Sequence, residues 1–497
     1  VTTVPSPASK LNPLTMLGRS SRLTLGTQIG AVLNFAASLL VARTLGPEQF
    51  GSISLVTLAL LYASFMRLGI FDGGERELLD RLGRGEQAAA ERIQRIAFTG
   101  ELVWSILPAL GLLAMSFMFD EPVRRIGFLL APLMAFGTTL YRMLMRLHLA
   151  HQRLDLVAPI NALRAIGVPV LTVALLYPLG AFSLLVAPLV VEWILVGVYL
   201  LRTPLHLRPC FDQSTLRRLV VVGLPLSLMS LIYWTYRLVG ASSVAIFLPV
   251  QDLGYYNFVS GPINIILVAF AEFSAILTPT LWSELSRVGA AERLSQECAR
   301  ITIFTTLVAC VLVNMAQAGF RPFVVLVAPA FAVATPTFDI LAFSIVLLTI
   351  TFVPGLILDS AVVNRQWQHL SIWVGGLIIN VTANFMAIQL GGGIEAIAFN
   401  SIWVQLGVVI ALFMLAQPFI FQQPAAALRL YAVLAGILTL CLATYFLIQI
   451  VTLHSTASMK ELIIATVLRV GLVLAIWFAP SVWLWRNISQ RTDEQSL

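Results

Sequence analysis

Apolar residues along this chain run in unbroken blocks of roughly twenty, and each block ends at charge, proline or glycine. A block of that length suits a helix crossing a hydrocarbon core of about 30 Å, at about 1.5 Å of rise per residue. The pattern predicts spans near 23–42, 51–71, 97–119, 126–147, 157–178, 182–201, 220–246, 254–278, 301–320, 337–358, 369–389, 394–416, 429–451 and 461–485. The expected fold is therefore an all-α integral membrane protein of about fourteen transmembrane helices. A membrane β-barrel is excluded, because its strands alternate with period two over about ten residues. The first eighteen residues are polar, and the run Leu23 to Ala42 carries Gln28 and Asn34 with no small-residue cleavage site behind it. It reads as a first span and not as a removed signal.

An even number of spans puts both termini on one side, and the placement of Lys and Arg says which, since basic connections are retained in the cytoplasm. With the N-terminus inside, the cytoplasmic connections collect Lys10 and most arginines, Arg142 and Arg146 among them. The outside connections hold only Arg43, Arg124, Arg125, Arg321 and Lys460. The expected organisation is a cytoplasmic tail over 1–22, an N-terminal bundle over 23–205, a C-terminal bundle over 206–416, two extra helices over 417–485 and a cytoplasmic tail over 486–497.

The chain also echoes itself. Thr44 to Gly51 ends one span and opens the next, and Phe247 to Gly254 does the same, with Gly51 and Gly254 lying 203 positions apart. At that offset Leu45 meets Leu248, Gln49 meets Asp252, Phe50 meets Leu253 and Leu82 meets Leu285. Two six-helix bundles in the same orientation, followed by two further helices, are implied.

In the first of these hairpins Gly46 and Pro47 stop a helix, Glu48 or Gln49 can cap the next one, and Gly51 eases the tight turn. The stretch Ala37-Ser38-Leu39-Leu40-Val41-Ala42-Arg43-Thr44-Leu45-Gly46-Pro47-Glu48-Gln49-Phe50-Gly51 resembles the first hairpin of Wzx-type polysaccharide flippases, relatives of MurJ and of the multidrug exporters. The resemblance implies two pseudo-symmetric six-helix lobes around a central cavity that opens alternately to each side, with the last two helices forming a groove for a lipid tail. It implies an undecaprenyl-pyrophosphate-linked oligosaccharide as substrate, moved across the bacterial inner membrane for exopolysaccharide, capsule or O-antigen synthesis. Membrane lipids and other polysaccharide-assembly membrane proteins are the implied partners. A transporter of this kind makes and breaks no bonds, so no catalytic residue is carried over and no cofactor is expected.

Composition agrees: 59% of residues are hydrophobic, 11% are charged and the mean hydropathy is +0.90. The formal charge of +7 reports orientation against anionic lipid and not nucleic-acid binding. Lysine occurs only at Lys10 and Lys460, so no Walker motif is present, and Gly391-Gly392-Gly393 is a hairpin turn. Cys210, Cys298, Cys310 and Cys441 have neither disulfide nor metal spacing. His148, His151, His206, His369 and His454 are expected to be solvated in connecting segments.

A pyrophosphate crossing hydrocarbon needs fixed positive charge, and arginine supplies planar, multidentate donors that stay protonated. Charge at a helix centre costs about 2.5–3.5 kcal/mol on insertion scales, so arginines inside spans need a reason. Arg237 leads, being mid-span beside Tyr233, Trp234 and Tyr236, whose rings can stack on sugars or on the guanidinium. An internal partner is its alternative role. Arg164 and Arg67 are further cavity candidates, with snorkelling to the interface as the rival account. Arg469 is expected to anchor at the interface, with guiding a phosphate along the lipid groove as its alternative. Asn34 aligns with Arg237 at the 203-residue offset. Glu192 and Glu272 are candidates for ion coupling, because desolvation raises a carboxyl's proton affinity; an arginine partner is the alternative. Asn161, Asn264, Asn314, Asn380, Asn384 and Asn400 are expected to bond between helices. Short amphipathic helices are expected over 85–95 and 290–300.

Two other functions compete. A multidrug exporter of the same superfamily would need carboxylates for organic cations, yet the first span holds no Asp or Glu. A membrane polysaccharide polymerase or ligase would need an extracytoplasmic loop with catalytic groups, and the connections near 321–336 and 452–460 are too short.

Overall fold

The computed structural model describes residues 13–151, 153–202, 208–285, 291–360, 362–421, 423–450 and 459–494. All regular structure among them is helical. In chain order the helices are α1 (Pro13–Phe65), α2 (Ile70–Gly83), α3 (Gln87–Met115), α4 (Pro122–Ala150), α5 (Leu154–Leu179), α6 (Ser183–Arg202) and α7 (Gln213–Phe247). There follow α8 (Val250–Leu285), α9 (Ala291–Val327), α10 (Thr335–Ile350), α11 (Phe352–Leu358), α12 (Gln366–Gln389), α13 (Ile394–Ile420), α14 (Pro424–Ile450) and α15 (Met459–Glu494).

Twelve stretches among the described residues are long and apolar enough to cross a membrane. Gln28–Phe65 and Asp155–Arg202 each contain the place of two expected spans. The first is broken at Gly46, whose φ of 73° belongs to the left-handed region that glycine enters without penalty, and Pro47 opens the helix beyond it. The second is broken by the short turn Gly180–Phe182. Leu107 and Leu110 on α3, Leu163 and Val170 on α5 and Ile378 and Ile379 on α12 stand exposed, as a hydrocarbon solvent permits. The protein is an all-helical, multi-pass membrane protein.

Two boundaries differ from expectation. The second span was expected to reach residue 71, but α1 stops at Phe65, and Gly69, with φ 74°, starts the amphipathic helix α2. The separate surface helix expected over 85–95 does not form; the amphipathic helix in this part of the chain is α2. Gly85, with φ 76°, turns the chain into α3 at Gln87, and nothing between Gln87 and Arg95 breaks the helix before it enters its apolar run. The stretch expected over 290–300 likewise continues α9 from Ala291; residues 286–290 lie outside the described ones.

Packing divides the chain into two units. One holds the described residues up to Leu40 with Arg67–Phe119 and Arg125–Leu226; the other holds Val41–Met66, Asp120–Arg124 and Ser227 onward. In the first, Tyr141, Leu144, Leu195 and Tyr199 close the core between α4 and α6. In the second, α10 is the most enclosed helix, packed against α9 and α13, and Phe338 stacks on Phe320 with ring centroids 3.8 Å apart. There α15 is fixed to α9 by Trp477 Nε1, which donates to Asn314 Oδ1 at 3.1 Å. Asn314 also donates to the Cys441 carbonyl, and Asn400 to Asn384, which in turn donates to Ser243, so these three amides bond between helices, whereas buried Asn380 leaves its side-chain oxygen without a partner among the described residues.

Candidate functional site

The first unit carries a charged cluster that begins with the face of α4. Ile126, Leu129 and Leu133 are exposed on its apolar side. At about 100° per residue, Arg142 lies about 180° around the helix from Leu133. Thr138, Arg142 and Arg146, spaced four apart, therefore form a polar stripe turned away from the lipid-facing side chains. Arg146 donates to Asp72 Oδ1 at 2.7 Å and to Glu75 Oε2, both on α2, and its guanidinium lies 5.1 Å from the Phe71 ring centroid. Buried Glu101 on α3 accepts from the Phe71 backbone N–H at 3.3 Å and feels the charge of Arg67.

At the level of Thr138, about two turns along α4 from Arg146, Arg164 on α5 forks onto Glu192 of α6, with Nε and Nη2 at 3.1 and 2.5 Å from Oε1. Thr138 Oγ1 donates to the other carboxylate oxygen, and the guanidinium sits 5.1 Å from the Tyr141 ring, whose hydroxyl donates to Asn161. Each nearby carboxylate is thus engaged by another group. Arg142 is not: among the described residues it has no hydrogen bond and no ion pair, while Arg67, Arg164, Glu192 and Arg146 act on it electrostatically.

The second unit holds Arg237. It donates to Asn264 Oδ1 of α8 at 3.0 Å, and its guanidinium lies 4.6 Å from the Trp234 ring and 6.0 Å from Tyr233. Among the described residues no carboxylate pairs with it. Trp234 is stacked on Phe65 at 4.8 Å, while Tyr233 and Tyr236 pack edge-on against Trp373 of α12. The Trp373 indole N–H donates to His369 Nε2 at 2.9 Å, and His369 Nδ1 lies 2.8 Å from Asp359. The Tyr236 hydroxyl is buried without a partner among the described residues.

The expected site residues therefore divide. Arg237 and Trp234 are in contact; Tyr233 and Tyr236 serve the packing around Trp373. Arg164 and Glu192 meet each other. Arg67 lies in the non-helical link after α1 and not within a span. Asn34 is exposed and donates to the Gly30 carbonyl of its own helix, in a different unit from Arg237. The Glu272 side chain lies outside the described residues. Arg469 is buried, within reach of the charges of Arg321 and Asp339, which corrects the interfacial role expected for it. His148 and His369 are buried inside α4 and α12, against the expectation of solvated histidines, because each finds a local acceptor or donor: the Leu144 carbonyl, and Asp359 with Trp373. Sequence reasoning missed Arg142, placing it in a cytoplasmic connection. The signal available was its four-residue spacing from Thr138 and Arg146.

Outside the spans, Asp212 caps α7. Its carboxylate accepts from the Ser214 and Thr215 hydroxyls at 2.7 and 2.9 Å and from the Ser214 backbone N–H at 3.1 Å, and it pairs with Arg92 at 2.9 Å. The Ser214 and Thr215 hydroxyls hold its pKa down, at about 2. Partial burial pushes His151 below the ordinary histidine range, and its Nε2 lies 2.9 Å from the Gln94 side-chain oxygen.

A profile of the family described as polysaccharide biosynthesis protein matches residues 40–328. No curated protein sequence matches the chain. Among solved structures, the fold is similar to the lipid II flippase MurJ in an inward closed conformation, with TM-score 0.69 and 11% identity, over 94% of this chain and 99% of that one. It is similar to an inward-facing multidrug resistance MATE family transporter of the MOP superfamily, with TM-score 0.61 and 13% identity, over 83% of this chain and 98% of that one. A mutant of the Vibrio cholerae MATE transporter VcmN gives TM-score 0.59 and 13% identity, over 83% of this chain and 99% of that one. At these identities the likeness is one of fold.

Proposed function

The chain belongs to the polysaccharide biosynthesis protein family, and from that premise we propose that it is a flippase for undecaprenyl-pyrophosphate-linked oligosaccharides in the bacterial inner membrane. It is a transporter and not an enzyme: it moves the glycan repeat unit from the cytoplasmic to the outer leaflet without bond chemistry. The proposal includes about fourteen spans arranged as two six-helix bundles about a central cavity with two further helices, and both termini in the cytoplasm. Its partners are the lipid-linked glycan, membrane lipids and other membrane proteins of polysaccharide assembly.

The observation that carries the reading is the kind of charge left over inside the apolar spans. Among the described residues Arg237 faces Asn264 and Trp234 with no carboxylate, which leaves its positive charge for an anion. Moving negative charge outward through an inside-negative potential is favourable by roughly 2.3 kcal/mol per charge per 100 mV, so the membrane potential can drive such a substrate. The fold likeness to MATE transporters favours organic-cation export as the second reading. Against it, Glu192 is occupied by Arg164, leaving no anionic centre there for a cation.

Deletion of the gene tests the function. The expected result is accumulation of lipid-linked glycan in the inner leaflet while synthesis of that glycan continues. Normal outer-leaflet appearance in a strain with no second flippase would refute it, and a gain of sensitivity to organic cations alone would favour the multidrug reading.

A further inference from the structure

The unit 1 cluster has more cations than its innermost carboxylate can serve. Toward the α2 end, Arg146 takes both Asp72 and Glu75. One turn away, Arg142 and Arg164 face a single carboxylate, Glu192, and that carboxylate is already held by Arg164 and Thr138. Arg142 is left with like-charged neighbours and no protein acceptor among the described residues. An isolated guanidinium within an apolar span is unfavourable unless something anionic reaches it.

Arg142 is on the side of α4 opposite the exposed Ile126, Leu129 and Leu133. Its side chain is therefore directed among the helices of its own unit, where Thr138 and Arg146 share its stripe. The residue as a whole keeps part of its surface exposed. Arg164 is similarly accessible, its side chain keeping 36% of its exposure while Glu192 keeps 4%.

We propose that Arg142, with Arg164 beside it, forms an oxyanion-binding site in the first unit that takes a phosphate or pyrophosphate group. This is a second positive site besides Arg237, built on α4 and α5. Arg142 supplies the planar fork whose donors are unused, and Arg164, tied to Glu192, adds charge while keeping a fixed orientation. That the anion is the head of a lipid-linked glycan rests on the function proposed above; the oxyanion chemistry itself does not.

The test uses the purified full-length chain in detergent with inorganic pyrophosphate and a short prenyl pyrophosphate as probes, read by calorimetric titration and by thermal unfolding. Wild type is expected to bind both. Arg142→Gln is expected to weaken both by roughly 10- to 100-fold, Arg142→Lys by less, and Arg84→Gln, an exposed surface change, not at all. Because Arg142 lacks a protein partner, ligand-free Arg142→Gln is expected to unfold at the same temperature as wild type or higher. Unchanged affinity in Arg142→Gln overturns the proposal. So does a ligand-free variant that unfolds early or fails to fold, since that reveals a structural partner. Failure of wild type to bind either probe also overturns it. Binding of inorganic pyrophosphate with the prenyl compound rejected keeps the Arg142 site as one for a free oxyanion and refutes the flippase reading. Retained probe binding in a protein that moves no lipid-linked glycan separates the two in the same way.

Discussion

Gly51 and Gly254, 203 positions apart in the chain, lie back to back where α1 crosses α8: a Cβ on Gly51 would meet the Val250 carbonyl oxygen, and one on Gly254 would meet the Pro47 carbonyl oxygen. Each glycine thus faces the carbonyl four residues before the other, and those two residues are themselves 203 apart. The repeated hairpin packs against its own echo.

The obstructing atoms belong to backbone, which cannot swing aside as a side-chain tip can. Gly254→Val is therefore expected to lower stability by about 1–3 kcal/mol or to block folding, and Gly51→Val to do the same. Gly436→Ala, on α14 with nothing near its Cβ position, should be neutral or gain about 0.5–1 kcal/mol from helix propensity. Thermal midpoints of the detergent-purified variants check the contrast. Equal midpoints for Gly254→Val and wild type would mean that the crossing is not as tight as described.

Much of this was legible because its causes are local. Gly46 and Pro47 break a helix wherever they occur, and the echo around Gly51 and Gly254 could be read without knowing that the two meet. Arg142 was not legible as a site residue. The predicted span 126–147 covers Arg142, but its charge assigned it to a cytoplasmic connection, and its facing depends on which side chains of α4 are exposed. The Arg164 to Glu192 pair was open between two roles for a different reason. The partners are 28 residues apart on separate helices, and no periodicity links them. The aromatic side chains around Arg237 were found as a run, but only Trp373, far along the chain, explains why Tyr233 and Tyr236 turn to packing.

Glu192 is expected to be a structural anion and not a proton carrier. Glu192→Ala removes the partner of Arg164 and should cost about 3 kcal/mol, and adding Arg164→Met should recover much of that loss, because the uncompensated charge goes with it. Glu192→Gln should still export substrate under a membrane potential with the pH gradient collapsed. A double variant as unstable as Glu192→Ala would argue against the pairing. Loss of export in Glu192→Gln at normal protein level, or on removing the pH gradient alone, would indicate proton antiport instead.

The Asp212 cap predicts an acid-sensitive α7 terminus. Its folded pKa of about 2 lies below the ordinary 3.8, so the folded state favours the carboxylate. The stabilisation is complete above pH 3.8 and is lost as pH falls through about 2. Asp212→Asn should lower the thermal midpoint near neutral pH, and the gap from wild type should close across that acid window. A gap that persists unchanged below it would show that the charge is not what the cap uses.

Arg237 separates a ligand role from a packing role through Asn264, its one acceptor among the described residues. Its guanidinium is held by the Asn264 side-chain oxygen and the Trp234 ring, both neutral, so the full charge remains for an anion. If that charge meets the substrate, Arg237→Ala should abolish export at normal protein level, since a hydrogen bond to a charged group contributes about 1.5–3 kcal/mol and arginine can offer several. Arg237→Lys should keep part of the activity, because a point charge attracts phosphate without the planar fork. Asn264→Asp is the sharper variant. It leaves an acceptor where the amide oxygen now stands and gives Arg237 a carboxylate, so folded protein should stay level or rise while export falls. The measurement is leaflet-resolved detection of lipid-linked glycan alongside protein level in the membrane. A structural Arg237 gives the opposite pattern: Arg237→Ala lowers folded protein, export falls only in proportion, and Asn264→Asp leaves export per molecule unchanged.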